Sequence, residues 1–225
     1  ITVGFEEWNE NATLDWLQGV CLYGNLIAPN GLPINYGSSY IPYTWSINGI
    51  QHEITKFITF EAKSDNSYIG LESISSNQTL FYSIDGTETW NHMTSATQIN
   101  LDRGKSVNIC GYLSSANYNN NYTKFDIRGD VGVCGNLNAL WNVNSDNIYL
   151  KQYCGYRLFY DCTGLADVSE LTLGTSATTL TSYCYEDMFL GCTSLTTAPE
   201  LPATTLASCC YQNMFNGCSS LTTAP

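Results

Sequence analysis

The side chains of this 225-residue chain best equipped for chemistry are its ten cysteines, two histidines and twenty acidic residues. Six of the cysteines form three pairs at one spacing, C-x7-C: Cys154/Cys162, Cys184/Cys192 and Cys210/Cys218. Zinc modules draw their thiolates from C-x2–4-C pairs, and only the vicinal Cys209-Cys210 comes closer than that. Small, apolar and recurring, the paired cysteines read as core-lining thiols, with cross-links between successive copies as the alternative. Cys184, Cys192, Cys210 and Cys218 are therefore expected to be largely buried. Cys110 and Cys134 fall on or beside neighbouring predicted strands and could bridge; Cys21 has no obvious partner.

A thiol nucleophile needs a base beside it. His52, next to Glu53, and His92 lack any context that would supply one, and both read as surface histidines. Glu6-Glu7 and Glu186-Asp187 are adjacent in sequence and are not poised for acid–base work. Ser64-Asp65-Asn66 and Ser145-Asp146-Asn147 offer oxygens to a calcium ion, but turns use the same residues. Ser83–Trp90 approaches a sialidase Asp-box with its glycine one place early, and such a box is a structural hairpin. A sialidase would also need an arginine cluster for the substrate carboxylate, and this chain has only Arg103, Arg128 and Arg157. Asn11-Ala-Thr13, Asn77-Gln-Thr79 and Asn121-Tyr-Thr123 are glycosylation sequons that matter only in a eukaryotic secretory pathway. The chain is expected to be non-enzymatic, without cofactor or metal.

Charge narrows the partners. Eight Lys and Arg against twenty acids give a formal charge of −12, which argues against nucleic acid or an anionic membrane surface. No basic residue follows Arg157. Charged types make up 12% of the chain, well below the ordinary ~25%, while Ser, Thr and Asn reach about three in ten. Sixteen Tyr and five Trp complete a surface of mostly uncharged polar side chains, of the kind expected of an extracellular β-rich protein. No apolar run approaches the ~20 residues of a membrane helix. The absence of an initial Met and the stop inside a recurring pattern read as a fragment of a longer protein.

That pattern is what positions the cysteines. Residues 184–206, CYEDMFLGCTSLTTAPELPATTL, return at 210–225 as CYQNMFNGCSSLTTAP, an offset of 26 residues. A degenerate earlier copy runs from Cys154 through Leu158, Phe159, Cys162 and Leu165 to Leu180, with four extra residues near Leu173–Ser176. A period in the twenties means a solenoid with a short strand and a helical or turn segment per rung. At about 100° per residue, the constant positions Cys184/Cys210, Tyr185/Tyr211, Met188/Met214 and Phe189/Phe215 share one helical arc. The varying positions Tyr183/Cys209, Glu186/Gln212, Asp187/Asn213 and Leu190/Asn216 share the opposite arc, so they are expected to face outward. Gly191 and Gly217 stand where a helix end wants φ > 0.

The motif Cys-Tyr-x-x-Met-Phe-x-Gly-Cys-x-Ser-Leu-Thr-Thr-Ala-Pro-Glu-Leu-Pro-Ala-Thr-Thr-Leu resembles the BspA-type leucine-rich repeat. That family is common on surface proteins of Bacteroides-like bacteria and in their phages. The resemblance covers residues 154–225 closely. It is looser over 58–150, similar to the β-rich domain that often precedes such repeats. It implies extracellular binding or adhesion and carries no fixed site residues.

Upstream, Phe57–Phe60, Tyr68–Ile74, Thr79–Ile84, Thr87–His92, Thr97–Leu101, Ser106–Leu113 and Lys124–Arg128 alternate as short strands. Asp85-Gly86 is a two-residue hairpin signal. Six or seven strands in about 75 residues suggest an immunoglobulin-like sandwich. Residues 1–57, with a possible short helix at Ala12–Val20, read as an attachment or docking segment. The expected order is therefore docking segment (1–57), β-sandwich (58–150) and repeat solenoid (151–225), mainly β with short helices. The partner is a protein or glycan on a cell surface, met by the stacked variable positions Arg157/Asp187/Asn213 and Tyr160/Leu190/Asn216. Tyr160 and Leu190 are the expected anchors, with the Asn117–Asn121 loop as a second site. The alternative is a virion component, a tail or head fibre assembled, with itself or its neighbours, through residues 1–57.

Overall fold

The computed structural model describes residues 24–26, 45–47, 50–51, 54, 56–75, 78–86, 89–113, 122–141, 150–174 and 179–225. Cys21, His52, Glu6-Glu7, Ala12–Val20, Asn117–Asn121 and Ser145–Asn147 lie outside them. The chain divides into two compact units, Ile1–Thr55 and Lys56–Pro225. In the first, β1 (Gly24–Leu26) runs parallel to β2 (Trp45–Ile47), which pairs antiparallel with β3 (Ile50–Gln51).

The second unit is mainly β, and its only described helix is a single 3-10 turn at Leu137–Leu140. Its strands are β4 (Ile58–Ala62), β5 (Ser67–Ser73), β6 (Thr79–Ile84), β7 (Asn91–Met93), β8 (Gln98–Leu101), β9 (Ser106–Tyr112), β10 (Lys124–Arg128) and β11 (Val131–Asn136). Two short strands follow inside the first repeat, β12 (Leu165–Asp167) and β13 (Leu171–Thr172). One sheet has the order β10-β5-β8; the other runs β12-β11-β4-β9-β6-β7, with β13 also on β11. Alternation decides the faces. Ile58, Phe60 and Ala62 of β4 and Phe125 and Ile127 of β10 point into one shared core, where the Phe60 and Phe125 rings meet at 5.0 Å.

Asp85 and Gly86 both take positive φ, as a primed hairpin turn requires. Strand pairing begins further back, with Tyr82 opposite Asn91. Asp85 holds the turn by accepting from Ser106 N at 3.2 Å and from Lys105 Nζ at 3.0 Å. The proposed Cys110–Cys134 bridge is not formed, and both are free thiols. Their strands, β9 and β11, lie on opposite sides of β4, about two strand spacings or 9–10 Å apart, too far for a disulfide.

The repeat segments depart from expectation. Residues 182–190 are not a helical turn: Tyr183, Tyr185, Asp187 and Gly191 all have positive φ, which no right-handed helix contains. They form overlapping β-turns. Cys184, Glu186, Met188, Leu190 and Cys192 each donate their N–H to the carbonyl three residues back, at 3.1–3.3 Å. Most of these turns have φ > 0 at their third residue, as type II turns demand. The intervening N–H groups cross to neighbouring rungs. Tyr183, Asp187, Phe189 and Gly191 donate to Ser208, Gln212, Met214 and Asn216 at 2.8–3.0 Å, and Tyr185 donates back to Cys154 at 2.7 Å. A left-handed non-glycine residue costs about 1 kcal/mol or more, and the shorter cross-rung bonds offset it. The 3.6-residue period fails here because sequence spacing alone does not separate a helix from a chain of turns.

Rung follows rung around the same interior. Phe125, Phe159, Phe189 and Phe215 stack at 5.4, 5.5 and 5.6 Å with rings within 15° of parallel. Cys162, Cys192 and Cys218 each donate their thiol to the carbonyl of the preceding Phe, at 3.1, 3.0 and 3.0 Å. The ladder therefore begins on β10, not in the repeats. Parallel pairing of β12 and β13 with β11 extends the sheet the same way, and an Asp167–Thr197 bridge carries it to the next rung. β11 itself is missing from the sequence reading because Gly132 and Gly135 interrupt its alternation. Gly135, with φ +103, leaves only 3.0 Å between a would-be Cβ and the Phe57 carbonyl.

Gly164 marks the joint. Its equivalents in the later copies are Ser194 and Ser220, yet a Cβ at Gly164 would lie 2.6 Å from the Arg128 backbone. Gly164→Ser is accordingly expected to destabilise the protein by about 1–3 kcal/mol, as overpacking against backbone does. Ser194→Gly should stay within about 1 kcal/mol. Paired thermal or urea melts check both.

Candidate functional site

The repeat face that varies between copies is built on two columns. In the first, Arg157, Asp187 and Asn213 occupy equivalent places with φ of 53°, 54° and 52°, a conformation that Asp and Asn tolerate better than most. Arg157 Nε donates to Asp187 Oδ2 at 3.0 Å, and Asn213 Nδ2 donates to Asp187 Oδ1 at 3.2 Å. One carboxylate thus ties three rungs together. Asp187 is 5% exposed, so it is a strut of the stack and not the outward-facing group expected from the helical arc. Glu186 is likewise buried, at 8%. The reason is the turn geometry, which does not distribute side chains evenly around an axis.

The second column, Tyr160, Leu190 and Asn216, does reach the surface: Tyr160 and Leu190 are half-buried and Asn216 exposed. Tyr160 lies between two cations, with Lys124 Nζ 5.0 Å and the Arg157 guanidinium 5.1 Å from its ring. Lys124 is itself paired with Glu72 at 2.6 Å. Arg157 also faces the rings of Tyr156 and Tyr122, at 5.0 and 5.7 Å. It is enclosed by aromatic faces whose quadrupoles favour a cation.

Most of the described cysteines are held out of reach. Cys154, Cys162, Cys184, Cys192 and Cys218 are buried free thiols; desolvation pushes the Cys154, Cys162 and Cys192 thiols well up from their ordinary values and raises that of Cys218. A thiolate is what reacts or binds metal, so these are core atoms. Cys210 is only half-buried, against expectation, because it lies on the last rung. His92 is not a plain surface residue: it is half-buried against Phe81, with ring centroids at 6.0 Å, and burial lowers its pKa. Desolvation followed by the Asp187 charge raises the Glu186 pKa, and Glu186 Oε2 has no hydrogen-bond partner among the described residues.

Beside the columns lies a feature that the sequence reading did not isolate. A shallow, open cleft with room for about one water molecule has Trp141, Tyr153 and Tyr156 on its walls, with Gln78 and Thr123 among its lining. Gln78 and Thr123 are more than nine-tenths buried and hydrogen-bonded to each other through Thr123 Oγ1 and Gln78 Oε1. Tyr153 continues the wall outward by stacking on Tyr183 of the next rung, at 4.7 Å and 18°. The abundance of tyrosine was legible, but residues from 78 to 156 meet here only through folding.

Glu186→Gln, the residue that the next copy carries at Gln212, removes a charge the fold disfavours. A carboxyl whose folded pKa is raised favours the native state while protonated, and that advantage fades as pH rises through the folded value. The variant should therefore melt higher than the parent at pH 7 and close to it at pH 4. Alkylation of the native protein followed by peptide mass analysis should label Cys209 and Cys210 before the buried thiols of the repeats. Cys154, Cys162, Cys184 and Cys192 should react only in denaturant.

No protein-family model, curated protein or solved structure matches the chain.

Proposed function

We propose that this chain is a non-enzymatic extracellular binding protein, in which BspA-type leucine-rich repeats grow from an immunoglobulin-like β-sandwich and display a variable surface to a cell-surface or environmental ligand. The observation that carries the reading is the contrast between columns. Positions whose side chains stack inside, such as Phe159/Phe189/Phe215, are retained from copy to copy, whereas the half-buried to exposed column exchanges Tyr160 for Leu190 and Asn216. A fixed interior with an exchangeable exterior lets a binding surface change without altering the frame. Tyr160 and Leu190 are the anchors, since aromatic and apolar groups at the centre of a contact supply most of its energy. Arg157 and Asn213 contribute through their exposed atoms, and Asp187 by holding both in place.

A second form of the reading, a virion fibre docked through residues 1–57, is favoured by the separate compactness of Ile1–Thr55. Removal of that unit then abolishes incorporation into particles while ligand binding by Lys56–Pro225 persists.

Fluorescently labelled protein incubated with bacterial and epithelial cells tests the surface. Leu190→Ser is expected to weaken adhesion several-fold with an almost unchanged melting temperature. Tyr160→Ser should weaken adhesion similarly and also cost about 1 kcal/mol of stability, because two cations lose their ring. Adhesion equal to the parent in both variants would remove this column from the binding surface.

A further inference from the structure

We propose that Cys154 and Cys184 are a cross-link site, a thiol pair that becomes a disulfide between the first and second rungs when the protein folds in an oxidising medium. Such a staple acts on the frame of the repeats, whatever the repeats bind.

Register brings the two cysteines together. Tyr153 N donates to the Ser182 carbonyl at 3.3 Å and Tyr185 N to the Cys154 carbonyl at 2.7 Å, so Cys154 lies against Cys184, its counterpart in the next copy. Parallel chains paired in this way run about 4.7–4.9 Å apart, inside the ~4.4–6.8 Å between Cα atoms that a disulfide spans. Both thiols are free and buried, at 1% and 0% exposure, and they are hydrogen-bonded to each other.

The rungs approach closely at this point. The Tyr153 and Tyr183 rings stack at 4.7 Å. The first copy carries Gly155 where the later ones carry Tyr185 and Tyr211, and a Cβ at Gly155 would lie 2.7 Å from the Tyr185 ring. One copy later the junction is looser. Tyr211 N reaches the Cys184 carbonyl at 3.1 Å, and Cys210 is only half-buried. Cys184 is therefore matched with Cys154 and not with Cys210.

The other cysteine column is used differently. Cys162 donates its thiol to the Phe125 carbonyl of β10, Cys192 to Phe159 and Cys218 to Phe189. A sulfur held against a backbone oxygen is not aimed at the sulfur of the neighbouring rung. Two columns with the same side chain thus have different redox fates.

The chemistry balances through two exchanges. One thiolate of the pair attacks a sulfur of a small-molecule disulfide such as oxidised glutathione, which forms a mixed disulfide and releases one thiolate. The partner thiol loses its proton to solvent and attacks the protein sulfur of that mixed disulfide, and the second small thiol leaves. Two protein thiols give up two protons and two electrons, and the small disulfide becomes two thiols. Desolvation raises the Cys154 pKa, so little thiolate exists once the rungs have closed. Exchange takes place before closure, and burial then shields the finished bond from reductants. Closing a loop of one repeat restricts the unfolded chain and so stabilises the fold.

Refolding of the full chain from guanidinium chloride, with either dithiothreitol or a mixture of reduced and oxidised glutathione, provides the test. Free thiols are blocked with N-ethylmaleimide in denaturant and a peptic digest is mapped by mass spectrometry. The glutathione-refolded protein should give a linked Cys154–Cys184 peptide as its main cross-link, with Cys162, Cys192 and Cys218 blocked as free thiols. It should melt about 5–10 °C above the dithiothreitol-refolded protein. Cys154→Ala should abolish both the linked peptide and the difference between the two melting temperatures, whereas Cys192→Ala should keep both. If either variant fails to refold, the peptide map of the parent decides alone. Complete blocking of Cys154 and Cys184 after refolding in glutathione overturns the assignment. So does another pair linked in equal or greater yield, or equal melting temperatures for the linked and unlinked proteins.

Discussion

The cross-rung hydrogen bond is the constraint on which the repeat half of this protein depends. Within each run of overlapping turns, every second N–H closes a turn on its own rung and the others cannot. Buried N–H groups left unpaired cost about 1–3 kcal/mol each, so each rung is stable only with another rung against it. The same geometry places non-glycine residues at positive φ: Tyr183, Tyr185 and Asp187 in one copy and Cys209, Tyr211 and Asn213 in the next. That strain is tolerated because the neighbouring rung fixes the backbone through its carbonyls. Side chains then follow the backbone. The phenylalanines stack because their rungs are in register, and the thiols of Cys162, Cys192 and Cys218 find the preceding Phe carbonyl for the same reason.

Such a stack needs a first partner, and β10 supplies it. Phe125 donates its N–H to Leu158 at 2.9 Å, and Gly164 donates to Ile127 at 3.1 Å. Phe125 also faces Phe60 of β4, so the ring that starts the ladder is at the same time a core residue of the two sheets. One apolar cluster runs from Ile58 to Cys218. Loss of the repeats would expose Phe125 and Ile127, and loss of the sheets would leave the first rung without its hydrogen-bond partners. The two halves are therefore coupled in stability, and the glycine at 164 is the local condition for their close approach.

Rigidity of this kind bears on the proposed binding role. Arg157, Asp187 and Asn213 spend their polar groups on one another, which orders the surface beside Tyr160 and Leu190. A surface whose side chains are already fixed loses little entropy when a ligand docks.

What the sequence determined by itself was the period, the retained interior positions and most of the strands. Those signals are local or repeated: alternation marks Thr79–Ile84 and Lys124–Arg128 with the limits found in the structure, and comparison of copies marks Phe159, Phe189 and Phe215. What only the tertiary structure decided was the backbone of the rung, the place of β11, the burial of Glu186 and Asp187, and the cleft. A chain of turns and a helix can retain the same residues at the same spacing, because both return side chains to an interior every few positions; they differ in which N–H groups leave the rung, and that depends on the neighbour. β11 was hidden by Gly132 and Gly135, the second of which is there for close approach to the Phe57 backbone. The cleft was hidden because Gln78, Thr123, Trp141 and Tyr153 belong to segments far apart in the chain, and no local period encodes which of them meet.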